Sequence, residues 1–492
     1  MGFKATVFEP NTDESKIFRE EDGKTVLVPK FYEPRAKKNV RTDLTMAEVR
    51  KHCTKDDLWI IIEGRVYDIT KFVDRHPGGY LPMLNLAGRD VTDAFYNYHP
   101  EKVFKRYLPA YYIGKVNDYH VSKFVQEHRQ LRQILLQRGL FETDMSYYYK
   151  LGLWYAFLFV VSLYLSLACK SFAAHIGGAL FMAAAWQQFA FSGHDIGHNS
   201  ISHKRNKDYY YGALFGPALM GISLSWWKHS HNVHHVVCNS IENDPDIQHM
   251  PVFAVTPKIF GKFWSSYHDK WIVTDWFARF IVQYQHIMYY PVMALARFNL
   301  YVQSYVLLLF KPHDPSLDYR YHEIASMLVF AIWYCALLST LPTWTEVITY
   351  ALISHGVSGI LHVQICISHF AMDTYHGNAY NDESDEWFKM QLKTTMNVDC
   401  PWWMDWFHGG LQFQIEHHLY PRLPRHNLRE CSELVKALCK KYNLHYHAPG
   451  FFQANVELLQ CLKQTANEAQ NLKKGDGGFY ESAIWESLNA RG

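Results

Sequence analysis

The chain has 492 residues, enough for two or three domains, and 49% of them are hydrophobic. Its formal net charge of +2 gives no indication that a nucleic acid or another polyanion is a partner. Its nine cysteines form no Cys-x-x-Cys pair, which argues against a disulfide framework and favours a reducing compartment. Aromatic residues reach 16%, which is typical of a chain with aromatic belts at a membrane surface.

The N-terminal part predicts an arm followed by a small soluble domain. Residues 1–42 carry mixed charges and no apolar run, so we expect a poorly ordered arm rather than a secretory signal. Thr45 and Glu48 have the spacing of a capping box, which predicts a short helix. The run Leu58–Ile62 and the following GRVY predict two strands around a tight turn.

Two histidine motifs in this soluble domain indicate a haem site. They are HPGG, which contains His76, and AGRDVTDAFYNYHP, which contains His99. These motifs resemble the cytochrome b5 haem-binding domain over about residues 43–117, an α+β fold. The resemblance implies haem b with His76 and His99 as axial ligands. Two neutral imidazoles fill both axial positions of the iron, so such a haem transfers electrons and does not bind oxygen.

The chain then becomes strongly apolar. Residues 118–150 predict a linker with an interfacial helix. Four later runs are long enough to span a bilayer of ~30 Å, namely 151–169, 173–193, 324–342 and 346–368. The run 212–225 is too short and contains proline, so we predict an interfacial or re-entrant segment. Arg297 and Asn299 interrupt the run 287–310, which we predict to lie along the membrane.

Three segments carry metal-ligating side chains at helical spacing, in HDIGH, HNVHH and QIEHH. Side chains three or four positions apart leave one face of a helix together. The residues are His194, His198, His231, His234, His235, Gln414, His417 and His418. They exceed the ligand set of one ion, so we expect two metal ions. Iron is favoured over zinc, because only a redox-active metal gives the attached haem domain a purpose.

The order of the apolar runs predicts that all these sites share one face of the membrane. With four spans, an even number of crossings separates the haem domain from each histidine segment. Basic residues within 129–138, 204–207 and 422–441 predict that this face is cytosolic, by the positive-inside rule.

The histidine segments resemble the three histidine boxes of membrane fatty-acyl and sphingolipid desaturases. The fused haem domain, together with Gln414 at the start of box three, resembles the front-end subfamily. The match covers about residues 43–492 and includes the tract CPWWMDWFHGGLQFQIEHHLYPRLPRHNLR. It implies an all-α multi-pass membrane desaturase domain over 151–450, with about four transmembrane helices and a cytosolic di-iron cap. It further implies a cytosolic tail over 451–492 and an endoplasmic reticulum membrane.

The same resemblance implies the ligands of two non-haem iron ions. They are His194, His198, His231, His234, His235, His369, Gln414, His417 and His418. His369 lies in Ser-His-Phe at the end of the last span, and His362 is the alternative to it. Asp195, Glu416 and Asp405 are candidates for orienting imidazoles, with helix-surface charge as the other interpretation. Four further histidines lie near the boxes and are more often ordinary polar residues, namely His203, His229, His249 and His408.

The resemblance implies an O₂-dependent lipid desaturase. The tract DPDIQHMPVFAV and the ending WESLNARG are most similar to delta-8 sphingolipid desaturases, which act on a long-chain base such as that of ceramide. A delta-6 or other front-end acyl-lipid desaturase is the alternative, and a di-iron hydroxylase or a non-catalytic membrane haem protein is less favoured. Electrons would come from NADH through a separate cytochrome b5 reductase. Trp226, Trp227, Trp402, Trp403 and Trp406 are candidates for interface anchoring or for lining an acyl channel.

Overall fold

The computed structural model describes residues 18–21, 24–27, 40–311, 314, 317–378 and 386–471. Most of the predicted N-terminal arm, and the ending WESLNARG, lie outside these residues. Within the arm, β1 (Phe18–Glu21) and β2 (Lys24–Leu27) pair as a short antiparallel hairpin.

An α+β unit follows the arm. Its elements are β3 (Arg41–Leu44), α1 (Met46–Val49), β4 (Cys53–Thr54), β5 (Asp57–Ile62), β6 (Arg65–Asp68), α2 (Leu81–Asn85), α3 (Thr92–Tyr98), α4 (Glu101–Arg106) and β7 (Tyr112–Val116). The strands form one sheet in the order β3-β7-β6-β5-β4, in which only β3 and β7 run parallel. We call this unit the haem-type domain.

Local chemistry in the haem-type domain agrees with the sequence. The Thr45 side chain accepts a hydrogen bond of 3.1 Å from the Glu48 amide and so caps α1 as predicted, whereas the Glu48 carboxylate accepts from Lys51 at 2.9 Å. The predicted pair of strands is also confirmed, and Glu63 and Gly64 make the turn between β5 and β6 with φ of 50° and 72°. Glycine adopts such a positive φ without steric cost, which allows the tight connection.

After β7, the described residues form helices and one hairpin, β8 (Lys262–Ser265) with β9 (Lys270–Val273). The helices before this hairpin are α5 (Lys123–Gln137), α6 (Met145–Leu167), α7 (Phe172–Gly197), α8 (Arg205–Ala213) and α9 (Leu224–Val237). Those after it are α10 (Trp276–Val282), α11 (Gln285–Phe310), α12 (Arg320–Ser339), α13 (Trp344–Ser358), α14 (Ile360–Cys366), α15 (Trp387–Thr394), α16 (Asp405–His408), α17 (Gln414–Leu419), α18 (Leu428–Lys441) and α19 (Phe451–Asn471).

Within the described ranges, three helices are long and apolar enough to cross a membrane by length and composition: α6, α11 and α12. Two of these, α6 and α12, coincide with predicted spans. The predicted span 173–193 lies in α7, a 26-residue helix whose apolar character is reduced by His175, Gln187 and Gln188. The predicted span 346–368 is divided at Gly359 into α13 and α14, and the backbone of α11 passes too close to this residue for a side chain.

The two apolar runs that were not predicted as spans differ in their helical structure. The run 287–310, predicted to lie along the membrane, belongs to α11, a single 26-residue helix. The run 212–225 contains no long helix, since a π turn over 214–218 holds Pro217 and precedes the start of α9. The helical backbone ends at Met220, and residues 221–223 separate it from α9.

Helix α5, in the segment predicted as linker and interfacial helix, attaches the haem-type domain to the rest of the molecule. Leu131 and Leu135 on α5 are fully buried in a core that includes residues of the haem-type domain and of α18. Arg129 on α5 forms an ion pair of 2.9 Å with Asp93, and Lys441 on α18 pairs with Glu127 at 2.6 Å. The haem-type domain and the histidine-bearing helices thus share one hydrophobic core.

Candidate metal centre

Box one lies at the C-terminal end of α7. His194 and His198 leave the same face of the helix, and their ring centroids are 4.9 Å apart. Gly197 between them faces the indole of Trp227, and a Cβ at this position would lie 2.0 Å from that ring. Only glycine permits this close approach, which places Trp227 against the imidazoles of His194, His198 and His231.

Box two lies on α9, whose first turn is anchored in the interior. The Ser223 hydroxyl caps the helix by accepting from the Trp226 amide at 3.0 Å. The buried Glu323 carboxylate accepts hydrogen bonds from the hydroxyls of Ser223 and Ser225. This anchoring fixes the rotation of α9 and thereby the direction in which its three histidines point.

Box three lies on the short helix α17, after a turn made by Gly409 and Gly410. Both glycines have positive φ, and a Cβ on Gly409 would lie 2.1 Å from the ring of Phe191. The side chain of Asn397 accepts a hydrogen bond of 2.8 Å from the Ile415 amide. These contacts bring α17 under the ends of α7 and α9.

The structure brings the predicted histidines together in two groups. In each group, one donor atom per residue lies within 4.8 Å of the others. Group one consists of His194, His198, His231 and His417. Group two consists of His234, Cys238, His369 and His418. The grouping of His369 with two box histidines agrees with its predicted role, and the predicted alternative, His362, is in neither group.

His235 lies between the two groups. Its Nε2 atom is 2.9 Å from His231 Nε2 and 3.1 Å from His417 Nε2, both in group one. Its ring also stacks on that of His418 in group two, with centroids 4.1 Å apart. One imidazole is therefore in contact with both groups.

The imidazoles of group two have fixed orientations. Nδ1 of His234 donates to Asp244 at 3.0 Å, Nδ1 of His369 faces the Thr394 carbonyl at 3.3 Å, and Nδ1 of His418 faces Gln391 Oε1 at 3.1 Å. When such a ring is neutral, its proton lies on Nδ1 and its Nε2 is the unprotonated atom that can bind a metal ion.

Asp244 and Asp246 contact the box two histidines, and the sequence analysis did not single them out. They follow box two in the tract ENDPDIQ, and Asp244 is fully buried beside His234. Asp246 Oδ2 lies 3.8 Å from His234 and 3.9 Å from His231. Burial disfavours the charged ring, yet these carboxylates raise the pKa of His234 to about 9. Two carboxylates shortly after a histidine box were the signal that could have identified them.

Cys238 was also missed. Its sulfur lies 3.4 Å from His369 Nδ1, and the side chain is buried at the C-terminal end of α9. Its position three residues after the last histidine of box two is the sequence signal that could have indicated it.

The three carboxylates predicted to orient imidazoles have other partners. Asp195 forms a buried ion pair of 2.9 Å with Arg425 and accepts from Tyr148, and it lies 3.9 Å from His194 Nδ1. Glu416 accepts from Asn397 and Tyr446. Asp405 pairs with Arg429. Their hydrogen bonds join segments distant in the sequence, and no hydrogen bond of theirs to a box imidazole is seen in the described residues.

The other candidates from the sequence lie elsewhere. His362 Nδ1 donates to the Met293 carbonyl at 3.0 Å. His203, His229, His249 and His408 are absent from both groups, although His229 lies 3.5 Å from Asp314. Gln414 is buried, and its Oε1 atom has no hydrogen-bond partner within the described residues.

The tryptophans divide between two roles. Trp227 packs on the group one imidazoles with its centroid 4.3 Å from that of His231. In contrast, Trp402, Trp403 and Trp406 are 75%, 58% and 51% exposed, which fits interface anchoring better than a channel lining.

The lowered pKa values of five histidines in and between the two groups are compatible with metal binding. Burial, reinforced by neighbouring imidazoles, holds the pKa well below its usual value at His198, His235, His369, His417 and His418. These rings are therefore neutral, as metal ligands must be. The Nε2 atoms of His194, His198 and His418 are buried without hydrogen-bond partners in the described part of the chain. A buried polar atom without a partner is costly, and a bound metal ion removes that cost.

The haem-type domain has a matching site. The rings of His76 and His99 face each other with centroids 6.0 Å apart. Nδ1 of His76 donates to the Gly79 carbonyl at 2.7 Å, and Nδ1 of His99 to the Phe95 carbonyl at 3.1 Å. Burial lowers both pKa values, that of His99 to about 3. Two neutral imidazoles that present their Nε2 atoms across a gap fit the axial ligation of one haem iron.

Comparison with known proteins assigns a family to each of two regions of the chain. Residues 170–450 match the family model described as fatty acid desaturase, and residues 45–117 match that described as cytochrome b5-like haem/steroid binding domain. A cytochrome b5-like domain implies a bound haem, and desaturases are di-iron enzymes, which agrees with the two groups of imidazoles.

Three named relatives span most of the chain. Delta(8)-fatty-acid desaturase 2 of Arabidopsis thaliana is 40% identical over 91% of this chain and 98% of its own length. Acyl-lipid (9-3)-desaturase of Borago officinalis is 39% identical over 92% of this chain and 99% of its own length. Delta 8-(E)-sphingolipid desaturase of Kluyveromyces lactis is 38% identical over 82% of this chain and 70% of its own length. The chain therefore belongs to the fatty acid desaturase family of oxidoreductases and carries a cytochrome b5-like domain ahead of its desaturase domain.

Proposed function

We propose that this protein is an O₂-dependent front-end desaturase that introduces the delta-8 double bond into the long-chain base of a sphingolipid. The observation that carries the proposal is the packing of a haem-type domain against two adjoining groups of imidazoles. An electron carrier beside a pair of redox-active ions is the arrangement that oxygen-dependent C–H oxidation requires. The relative named delta 8-(E)-sphingolipid desaturase supports the substrate.

A second substrate class has its own support. The Borago officinalis relative is named for an acyl lipid and is about as similar to this chain as the delta(8) relatives are. A delta-6 or other front-end acyl-lipid desaturase is therefore the alternative function. Both functions use the same site, and they differ in which lipid enters it.

The proposal assigns ligands as follows. His76 and His99 would hold haem b. Two non-haem iron ions would be held by His194, His198, His231, His234, His235, His369, Gln414, His417 and His418. We propose a haem domain over 43–117, a linker over 118–150, a desaturase domain over 151–450 and a tail over 451–492.

The reaction removes two hydrogen atoms from adjacent methylene groups and consumes O₂, two electrons and two protons to give a double bond and two water molecules. When bound, the two irons would supply the oxidising power that no amino-acid side chain has. The protein fixes the ligand nitrogens through Asp244, Gln391 and the Thr394 carbonyl. Trp227 covers His231 and excludes water from that side of group one.

We propose four membrane crossings: α6, α7, α12, and α13 with α14. At the ends far from the histidine boxes, His175 on α7 bonds to Glu346 on α13, and Tyr350 lies 3.2 Å from Ser162 and Ser166 on α6. These contacts support a bundle whose far ends meet on one side. The haem domain and the irons would then face the cytosol at the endoplasmic reticulum.

Helix α11 is proposed to lie along the membrane despite its apolar length. Near its start, Gln285 donates to the Leu462 carbonyl at 2.8 Å, and near its end Ser304 accepts from the Ser223 amide at 3.0 Å. Both partners belong to the part of the molecule that carries the boxes. A helix whose two ends contact the same side does not need to cross the bilayer.

The proposed electron source is NADH acting through a separate cytochrome b5 reductase, because the sequence shows no flavin or dinucleotide motif of its own. The membrane lipid itself is the other partner.

The test is expression in a yeast that lacks such an enzyme, followed by mass spectrometry of long-chain bases and fatty acids. A new double bond in the long-chain base supports the proposed substrate. New acyl unsaturation after feeding linoleate moves the function to the acyl-lipid alternative. A hydroxylated product without a new double bond contradicts desaturation. Haem without further iron in an inactive, folded protein contradicts the di-iron assignment.

A further inference from the structure

The loop that carries one proposed haem ligand lies directly on box two. A Cβ added to Gly78 would lie 2.9 Å from the His76 ring and 3.7 Å from Asn232 Nδ2 on α9. A Cβ on Gly79 would lie 3.9 Å from His229 Nδ1, also on α9. The haem-type domain is thus seated on the helix that supplies three of the proposed iron ligands.

A second contact joins the two sites more directly. Tyr98 immediately precedes His99, and its ring meets the ring of His235 edge to face, with centroids 6.3 Å apart and planes at 88°. The same tyrosine packs on Trp387 with centroids 6.2 Å apart. One peptide bond and one ring contact therefore separate a proposed haem ligand from a proposed iron ligand.

The ligand reached in this way is the one shared by both groups. His235 contacts His231 and His417 of group one through Nε2 and stacks on His418 of group two. An electron that arrives at His235 can pass on to either of the two metal positions. An electron that passed through Asn232 would instead arrive at the neighbouring residue His231, which belongs to group one alone.

The Tyr98 hydroxyl indicates what the ring can do. It is buried without a hydrogen-bond partner among the described residues. With no acceptor for its proton, the ring is poorly suited to being oxidised with proton loss. The aromatic ring instead occupies the space between the imidazoles of His99 and His235.

We propose that Tyr98 is the positioning residue through which electrons pass from the haem to the metal centre, by way of His235. This inference rests on the proposed function. In each transfer one electron leaves the reduced haem and one oxidised metal ion gains it. Tyr98 is neither oxidised nor deprotonated, and its aromatic ring, not its hydroxyl, is what the transfer needs.

The test follows a single electron in the full-length protein loaded with haem and non-haem iron. Under anaerobic conditions a flash photoreductant reduces the haem, and its absorbance reports reoxidation as the electron moves on. Protein stripped of non-haem iron is the blank. The variants are Tyr98→Leu, which removes the ring, and Tyr98→Phe, which keeps it. Tyr111→Leu is the matched control, since Tyr111 is a partly buried tyrosine of the same domain that packs on Phe72.

We expect Tyr98→Leu to slow haem reoxidation severalfold at an unchanged haem reduction potential, while Tyr98→Phe and Tyr111→Leu keep the wild-type rate. A wild-type rate in Tyr98→Leu, or equal slowing in Tyr98→Phe, overturns the inference. If Tyr98→Leu does not retain haem, Tyr98→Met is judged by the same criterion. Wild-type reoxidation no faster than in the stripped blank would instead overturn the proposed function, because the haem would not serve the irons.

Discussion

The Nδ1 atom of His234 lies 3.0 Å from Oδ2 of Asp244, and both side chains are almost completely buried. Asp244 also accepts hydrogen bonds from the amides of Asn239 and Asp246, so the backbone holds its carboxylate in place. This pair fixes the direction of an imidazole in group two, and it suggests the first prediction.

Asp244→Asn should weaken metal binding, because the variant can no longer hold His234 in its orientation with a charged acceptor. The expected loss is about 10- to 100-fold in iron affinity or activity. Non-haem iron per haem, measured after dialysis against a chelator, is the readout. Asp405→Asn is the matched control, since Asp405 pairs with Arg429. Equal iron loss in both variants would contradict an orienting role for Asp244.

His369→Ala should remove roughly half of the non-haem iron, because group two would keep too few imidazoles to hold its ion. His362→Ala is the control, as His362 bonds to a backbone carbonyl and belongs to neither group. The measurement is metal content by mass spectrometry of protein with intact haem absorbance. Iron loss confined to His362→Ala would favour the alternative ligand.

His99→Ala should abolish haem binding and leave non-haem iron in place, because the two sites use separate ligands. Desaturation would be lost with the haem, since the electron carrier is gone. Haem absorbance and iron content are measured on the same sample. His52→Ala is the control, since His52 stacks on Trp59 at 3.4 Å and lies outside the haem site. Full haem occupancy in His99→Ala would contradict the assignment.

Glu63 should make the haem-type domain less stable as pH rises. Burial raises the pKa of Glu63 to about 7, despite the hydrogen bond that it accepts from Tyr96 at 2.8 Å. The folded state therefore binds this proton more tightly than the unfolded state does, and stability falls between the unfolded value of 4.5 and about pH 7. Between about pH 5.5 and 8 the loss should be about 2 kcal/mol.

The measurement for Glu63 is urea unfolding followed by haem absorbance at both pH values. Glu63→Gln keeps an acceptor for Tyr96 and cannot ionise, so its stability should fall less over the same interval. An identical pH dependence in the variant and the wild type would show that Glu63 is not responsible.

The four-span topology predicts the side on which Trp344 lies. Trp344 is 80% exposed at the start of α13 and would be lumenal, whereas an α11 that crossed the membrane would make it cytosolic. In sealed microsomes, an impermeant maleimide should label Trp344→Cys, in a background that carries Cys53→Ser and Cys335→Ser, only after detergent is added. Cys53 of the wild type is exposed on the haem-type domain and should be labelled without detergent. Labelling of Trp344→Cys without detergent would contradict the topology.

Local spacing determined much of what the sequence could reveal. Ligands three and four positions apart must leave one face of a helix, so HDIGH, HNVHH and QIEHH predicted their own geometry. The helix start at Thr45 and the strands around Gly64 were predicted for the same reason, since their determinants lie within a few residues of one another. Apolar length likewise identified α6 and α12.

Only the tertiary structure decided how the histidines are shared. His231 and His234 are three residues apart on one helix yet belong to different groups, and His235 contacts both. That division depends on where α7, α17 and the end of α14 meet α9, which no local pattern encodes. The same holds for Asp244 and for Tyr98, whose roles arise from contacts between segments distant in the sequence. Helical spacing fixes the direction of a side chain, and long-range packing fixes what it meets.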